Sequence, residues 1–266
     1  MPLGRAPTVC LAPPPRGAGM LRVVESANVR IAVDAELWHF LAPGARGREL
    51  AVAADGTVTL GHVIESVGVP LPEVGRIEVD GRAAEPDERA APGTLVRVLP
   101  VPRPQPVPID PPRFLLDVHL GTLARRLRLV GVDTAYENDL DDDTLVEIAN
   151  AERRILLTRD RGLLRRRSLW LGAHVRNADP DDQLDEVLSR FAPPLAPWTR
   201  CTACNAPLVA TEKSDVEALL EPGTRRTYDV FARCSSCDRV YWRGAHHRRL
   251  QQIVDRATRV VAAAGV

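Results

Sequence analysis

Lysine is almost missing from this chain: of its 35 basic residues, only Lys213 is not an arginine. A skew this complete reflects genomic base composition, so the abundance of arginine is no argument for arginine chemistry by itself. Aromatic residues are few at 4%, although an apolar content of 45% is ordinary for a chain that buries a core. The formal net charge is zero, so steering of the whole molecule toward nucleic acid is not implied. No run approaches the roughly 18–20 apolar residues that span a bilayer. The opening MPLGRAPTVCLAPPPRGAGM is proline-rich, weakly apolar and unlike a secretion signal. The expected setting is therefore soluble and cytoplasmic, with no membrane partner. Cysteines are scarce but ordered. Four of the five form two pairs of identical internal spacing, Cys201-x-x-Cys204 and Cys234-x-x-Cys237. That is metal spacing rather than a disulfide framework, and it fits a reducing compartment. Cys10 stands alone and reads as an incidental exposed thiol.

A length of 266 residues allows one large domain or two to three small ones, and composition divides the chain. Residues 1–20, with three consecutive prolines and no periodicity, read as a disordered tail. Residues 21–100 form a first folded unit. Val29–Val33 and Glu49–Ala53 read as strands, and Leu60, Val63, Ile64 and Val67 make one helical stripe. Arg76–Val79 then turns at Asp80-Gly81, a hairpin signal, and Leu95–Leu99 closes the unit. This order at this length resembles the β-grasp, ubiquitin-like fold of sulfur-carrier proteins. Those carriers act through a free C-terminal Gly-Gly, which is absent here, so the resemblance implies a binding or positioning role and a protein partner rather than sulfur transfer. Seven prolines within Pro100–Pro112 mark a stiff linker over 101–112.

Residues 113–198 alternate strand and helix. Two apolar runs, Phe114–Leu116 and Ile155–Leu157, end close to Asp117 and Asp160, with 38 residues between Leu116 and Ile155. That separation calls for a helical crossover, so the two strands are expected to be parallel neighbours, with both acids at the carboxyl edge of one sheet. The run Asp139, Asp141, Asp142 and Asp143 opens the helix that leads into the second strand. Three acids converging on such an edge suit Mg²⁺ or Mn²⁺ and phosphodiester cleavage; spacing alone does not choose among the members of the run. Arg125 and Arg128, one helical turn apart, and Arg159 and Arg161 beside Asp160 are candidate phosphate contacts. Their alternative is a solvated helix face. The two Cys pairs over 199–250 supply four thiolates for closed, structural zinc. Residues 200–266 carry 11 basic and 7 acidic side chains, an excess of +4. With Tyr241-Trp242 and His246-His247 nearby, the zinc module either contacts RNA, His247 being the candidate, or simply staples an insertion. Residues 251–266 read as a C-terminal helix or tail.

Taken together, DVHLGTLARRLRLVGVDT, the acidic run before TLVEIA, ILLTRD, and RCTACNAPL…CSSCDRVYWRGAHH resemble the Mut-seven C-terminal (Mut-seven-C) RNase family. That resemblance implies a three-layer α/β PIN-like nuclease domain with a parallel sheet and an appended zinc ribbon, here behind an N-terminal β-grasp α+β domain. It implies catalytic, metal-binding roles for Asp117, Asp142 and Asp160, Asp142 being picked out by the match of DDTLVEIA. It also implies RNA as partner, structural zinc and catalytic Mg²⁺ or Mn²⁺. One departure is Gly162, where many PIN nucleases carry a further acid; Asp179, Asp181 and Asp182 are the candidates for a fourth ligand. The competing expectation is a non-catalytic RNA- or ribosome-associated protein using the same basic and zinc surfaces. Oligomeric state is not legible.

Overall fold

The computed structural model of the protein describes residues 28–265, so the expected tail and Cys10 lie outside the described residues. In the first unit β1 (Asn28–Val33) pairs antiparallel with β2 (Leu50–Ala53) and parallel with β5 (Leu95–Pro100). β3 (Val74–Val79) lies antiparallel to β5 and to β4 (Arg82–Ala84), which gives the order β2-β1-β5-β3-β4. The helix α1 (Leu60–Ser66) starts at Thr59, whose hydroxyl accepts from His62 N–H at 3.3 Å. Its Leu60, Val63 and Ile64 meet Val29, Ile31, Val96 and Val98 in one core. Asp80 and Gly81 join β3 to β4 with φ of 49° and 84°, the two left-handed residues that a tight hairpin needs. This is the expected β-grasp.

The proline-rich joint is not a free spacer. Gln105 N–H donates to Arg190 O at 2.6 Å. Val107 and Ile109 pack against the core of the second unit.

That second unit is a four-stranded parallel sheet in the order β7-β6-β8-β9: β6 (Phe114–Leu116), β7 (Thr134–Tyr136), β8 (Ile155–Thr158) and β9 (Gly172–His174). Its two central strands, β6 and β8, are buried on both faces, which is why they read as unbroken apolar runs. Phe114, Leu116, Ile155 and Leu157 face one core with α2 (Gly121–Leu129) and α5 (Pro180–Phe191). Leu115 and Leu156 face the other with α3 (Asp142–Ala151) and Leu163 of the single-turn α4 (Arg161–Leu164). The chain leaves β6 for β7 on one side, then crosses to β8 on the other. The carboxyl ends of β6 and β8 therefore form a topological switch point, where open α/β sheets place ligands. β7 was not legible in the sequence: Thr134-Ala135-Tyr136 has no apolar run.

The ribbon follows: β10 (Leu208–Thr211), β11 (Phe231–Cys234) and β12 (Val240–Trp242) form an antiparallel sheet in sequence order. The long interval between the Cys pairs is structured by α6 (Lys213–Val216) and α7 (Pro222–Thr227), with Val216 and Leu220 buried against Phe231. The last helix, α8 (His247–Ala264), begins inside the stretch expected to be ribbon, and it is not a tail. Its Val254 and Ala257 are buried in the same core as α2 and α5. None of the described helices is long and apolar enough to cross a membrane.

Candidate active site and metal centre

Register sets the acidic edge. Leu116 lies opposite Leu157, so Asp117 follows β6 level with the end of β8. The Asp117 N–H donates to Leu157 O at 3.0 Å, and its Oδ2 accepts from the Thr158 hydroxyl at 2.7 Å. The same Thr158 oxygen accepts from Asp160 N–H at 2.9 Å. Asp160 then caps α4, its Oδ1 accepting from Gly162 N–H at 2.6 Å. One hydroxyl thus ties the two acids together across the switch point. Asp117 is only 6% exposed, and a carboxylate so buried needs partners of this kind. Among the described residues, Asp117 Oδ1 and Asp160 Oδ2 accept no hydrogen bond. The sequence reading weighed both acids but gave Thr158 no role; a hydroxyl ending an apolar strand between two acids was the available signal.

Of the acidic run, Asp141 is the cap of α3. Its carboxylate accepts from Thr144 N–H at 2.8 Å, and that bond holds it below the ordinary carboxylate range. Asp142, in the first turn, lies 3.7 Å from Arg166, whose guanidinium also pairs with Asp143. The oxygens of Asp117, Asp142 and Asp160 do not all come within 4.8 Å of one another. The candidates for a fourth acid are otherwise engaged: Asp179 caps α5, Asp181 pairs with Arg126 at 3.1 Å, and Asp182 pairs with Arg256 at 3.0 Å. His119, exposed two residues after Asp117, is a further polar group on this edge that the sequence reading missed. Close by, the Tyr136 hydroxyl lies 2.9 Å from Val118 O. A Cβ at position 121 would stand 2.6 Å from that hydroxyl, so any larger residue at the start of α2 would displace the Tyr136 ring.

The β-grasp unit clasps the segment that carries Asp160. Arg161 Nη1 donates to Phe40 O at 3.1 Å and Nη2 to His39 O at 2.7 Å. Arg165 donates to Gly68 O at 2.9 Å. Deeper in, Arg190 of α5 donates to both oxygens of Glu73 at 2.9 Å, and Glu73 also accepts from His174 N–H at 2.8 Å. The two side chains are 5% and 8% exposed. Arg161, expected as a phosphate contact, is therefore held by the neighbouring domain.

Arg128 needs the larger correction. It is 2% exposed, because α2 turns it into the joint with the ribbon. It donates to Thr134 O at 2.8 Å, Thr202 O at 3.3 Å and Ala203 O at 2.7 Å. A guanidinium so enclosed cannot meet phosphate. Arg125 and Arg159 remain exposed, and the His247 ring lies against Trp198 with centroids 5.0 Å apart.

These contacts also locate the ribbon. Asn205 accepts from Thr134 N–H at 3.0 Å and donates to Asp133, the residue before β7, at 2.9 Å. Arg154, just before β8, donates to the same Asp133 oxygen at 2.6 Å. Burial pulls the Asp133 carboxyl up, but the bonds from Arg154 and Asn205 outweigh it and hold the group below its usual range. All of this lies at the starts of the strands. The ribbon sits on the amino edge of the sheet, opposite Asp117 and Asp160.

Within it the four cysteine Sγ atoms lie within 4.8 Å of one another, with Cys201–Cys237 at 3.6 Å and Cys204–Cys234 at 3.4 Å. A tetrahedron with Zn–S near 2.3 Å has edges of about 3.8 Å, so the donor set fits zinc. Charge argues the same way. Burial raises the Cys201 thiol, but the Tyr241 hydroxyl at 3.0 Å and backbone N–H groups overcome that and bring it to about 6. Burial, together with the neighbouring sulfurs, pushes Cys204 up to about 12. Four adjacent thiols ionise together only around a cation.

Among curated proteins and solved structures, none matches this chain. Two family models do: Mut7-C ubiquitin over residues 26–106 and the Mut7-C RNAse domain over residues 112–254. The second spans more than half of the chain, so the chain belongs to the Mut7-C RNAse domain family, with a ubiquitin-like domain in front of the RNAse domain.

Proposed function

We propose that the protein is a divalent-metal-dependent ribonuclease whose reaction centre lies at the carboxyl edge of β6 and β8. One observation carries this reading: the Asp117–Thr158–Asp160 chain at the switch point, with a carboxylate oxygen of each acid left unbonded by the described residues. Carboxylate oxygens suit the hard cations Mg²⁺ and Mn²⁺. Asp117 and Asp160 would hold the ion, and Asp142 would join them once released from Arg166. When bound, the ion supplies Lewis acidity toward the phosphoryl oxygens and a more acidic water. The chain's own contribution is placement. Thr158 fixes the orientation of Asp117, the α4 cap fixes Asp160, and Arg159 and Arg125 are available to phosphate. The β-grasp domain, clasping Arg161 and Arg165, holds α4 and hence Asp160 in register.

A second reading, RNA binding without cleavage, rests on the pairing of Asp142 with Arg166 rather than with the other two acids. Cleavage of labelled single-stranded and structured RNAs separates the two. Wild type with Mn²⁺ or Mg²⁺ is expected to cut, and Asp117→Asn and Asp160→Asn, folded and zinc-loaded, are expected to lose at least about 10²-fold in rate, the scale of a lost transition-state charge interaction. Equal rates in wild type and both variants would overturn the assignment, and product lengths distinguish endo- from exonucleolytic cutting.

A further inference from the structure

A groove of about 800 Å³ opens on the ribbon, between its sheet, α7 and the start of α8. Of the chain's 4 Trp, 3 Tyr and 4 Phe, five line it: Trp198, Tyr228, Phe231, Tyr241 and Trp242. Phe231 is buried in the ribbon's own small core with Tyr228 against it, and Trp198 packs on the main core, so Trp242 is the aromatic that core packing leaves open. Trp242 is 42% exposed and Val230 is 78% exposed. The charged lining is of one sign. Arg200 and Arg243 are its charged side chains, His246 and His247 stand beside them, and no Asp or Glu lines it. Arg200 is committed to Gly131 O, Asn205 O and, at 3.4 Å, the Asp133 carboxylate, so the free positive charge at the groove is that of Arg243 and the arginines beside it. Arg243 is exposed, and Arg248 and Arg249 follow on the first turn of α8.

We propose that this groove binds single-stranded RNA, stacking one or two unpaired bases on Trp242 and its aromatic neighbours while Arg243 and the α8 arginines meet the flanking phosphates. The occupant follows from the combination. Apolar aromatic faces alone would accept a peptide, but a cationic lining without a single carboxylate complements a polyanion. An unpaired strand is required because duplex bases are already stacked and do not present their faces. The proposal rests on the reading of the protein as RNA-directed and adds a place. The groove belongs to the amino-edge ribbon, whereas Asp117 and Asp160 lie at the carboxyl edge. A strand that engages both must run past the height of the sheet, so the groove holds RNA flanking the reactive phosphodiester rather than the phosphodiester itself.

The test uses the full-length, zinc-loaded chain carrying Asp117→Asn, so that RNA is bound and not consumed. Anisotropy of a labelled 20-nucleotide oligouridine gives affinity, and tryptophan emission reports stacking. Trp242→Ala is expected to weaken binding roughly 5- to 150-fold and to remove most of the quenching, with Trp242→Phe restoring affinity. Because Trp242 lies in a strand, Arg243→Gln serves as an independent surface variant. It should weaken binding and reduce the salt slope by about 0.7. The same sequence presented as a duplex should bind more weakly. Unchanged affinity in both variants, stronger binding of the duplex, or quenching by an apolar peptide but not by oligouridine would overturn the groove assignment. Those outcomes are separate from cleavage. A groove-dependent affinity with no metal-dependent cutting by the wild-type chain leaves the groove standing and removes the nuclease reading, and cutting with a silent groove does the reverse.

Discussion

Glu73 is a buried acid whose loss should be costly. Its carboxylate takes two bonds from Arg190 at 2.9 Å and one from His174 N–H at 2.8 Å, across the joint between the β-grasp unit and the parallel sheet. Exposure decides the magnitude. An exposed ion pair is worth about 0–1 kcal/mol, but removing one partner from a buried pair costs about 3–5 kcal/mol, because the remaining charge stays buried and unpaired. With the pair 5% and 8% exposed, the buried figure applies. After Glu73→Ala, Arg190 would keep only neutral acceptors, Gln105 Oε1 at 2.7 Å and Pro72 O at 3.3 Å. The expected loss corresponds to a factor on the order of 10²–10³ in the closed-to-open ratio of the joint. Proteolysis within 101–112 reads the separation of the joint, and hydrogen exchange at the His174 amide, which also loses its own acceptor in this variant, sets an upper bound on it. The double variant Glu73→Leu/Arg190→Leu should recover most of the stability, because no charge is then left behind. If Glu73→Ala changes His174 exchange by less than about fivefold, the joint is not held by this pair and the argument from burial is wrong.

Three other predictions follow from individual contacts. Thr158→Val removes the hydroxyl that bonds both Asp117 and the Asp160 amide; a loss of roughly 1–3 kcal/mol in unfolding experiments is expected, with a larger loss in cleavage than in RNA affinity. Acidification should loosen the joint. Burial lowers the proton affinity of His39, outweighing the Glu36 carbonyl, and burial likewise lowers His174, outweighing Glu73. The unfolded rings protonate near 6.5 while the folded ones resist until lower pH, so the histidine contribution is complete above about 6.5 and declines as pH falls below it. His174 exchange measured at pH 7.5 and 5.5 shows this, and equal protection at both would refute it. Stripping the zinc with a strong chelator should unfold β10–β12 and also deprive Arg128 of its Thr202 and Ala203 acceptors. Circular dichroism and exchange at Thr134 would record the loss, and an unchanged ribbon would argue against structural zinc.

Local pattern carried much of this. Phe114–Leu116 and Ile155–Thr158 were legible because a strand covered on both faces must be apolar throughout, and an aspartate directly after such a run stands out against that rule. The two C-x-x-C pairs were legible because ligand spacing is a property of a few adjacent residues. The β-grasp order was readable from helical and strand periods and from one Asp-Gly turn. What the sequence did not contain is where long side chains end. Arg128 and Arg125 are alike in sequence, one turn apart; the ribbon 74 and 75 residues later encloses the first and leaves the second exposed. Arg161 finds its partner 121 residues back, at Phe40 O. The pairing of Asp142 with Arg166, the return of α8 into the core, and the placement of the zinc ribbon on the edge opposite the acids are of the same kind. Secondary structure and metal knuckles are set by neighbours along the chain and so are written there. The fate of an arginine or a carboxylate is set by burial and by partners that only the folded chain brings together.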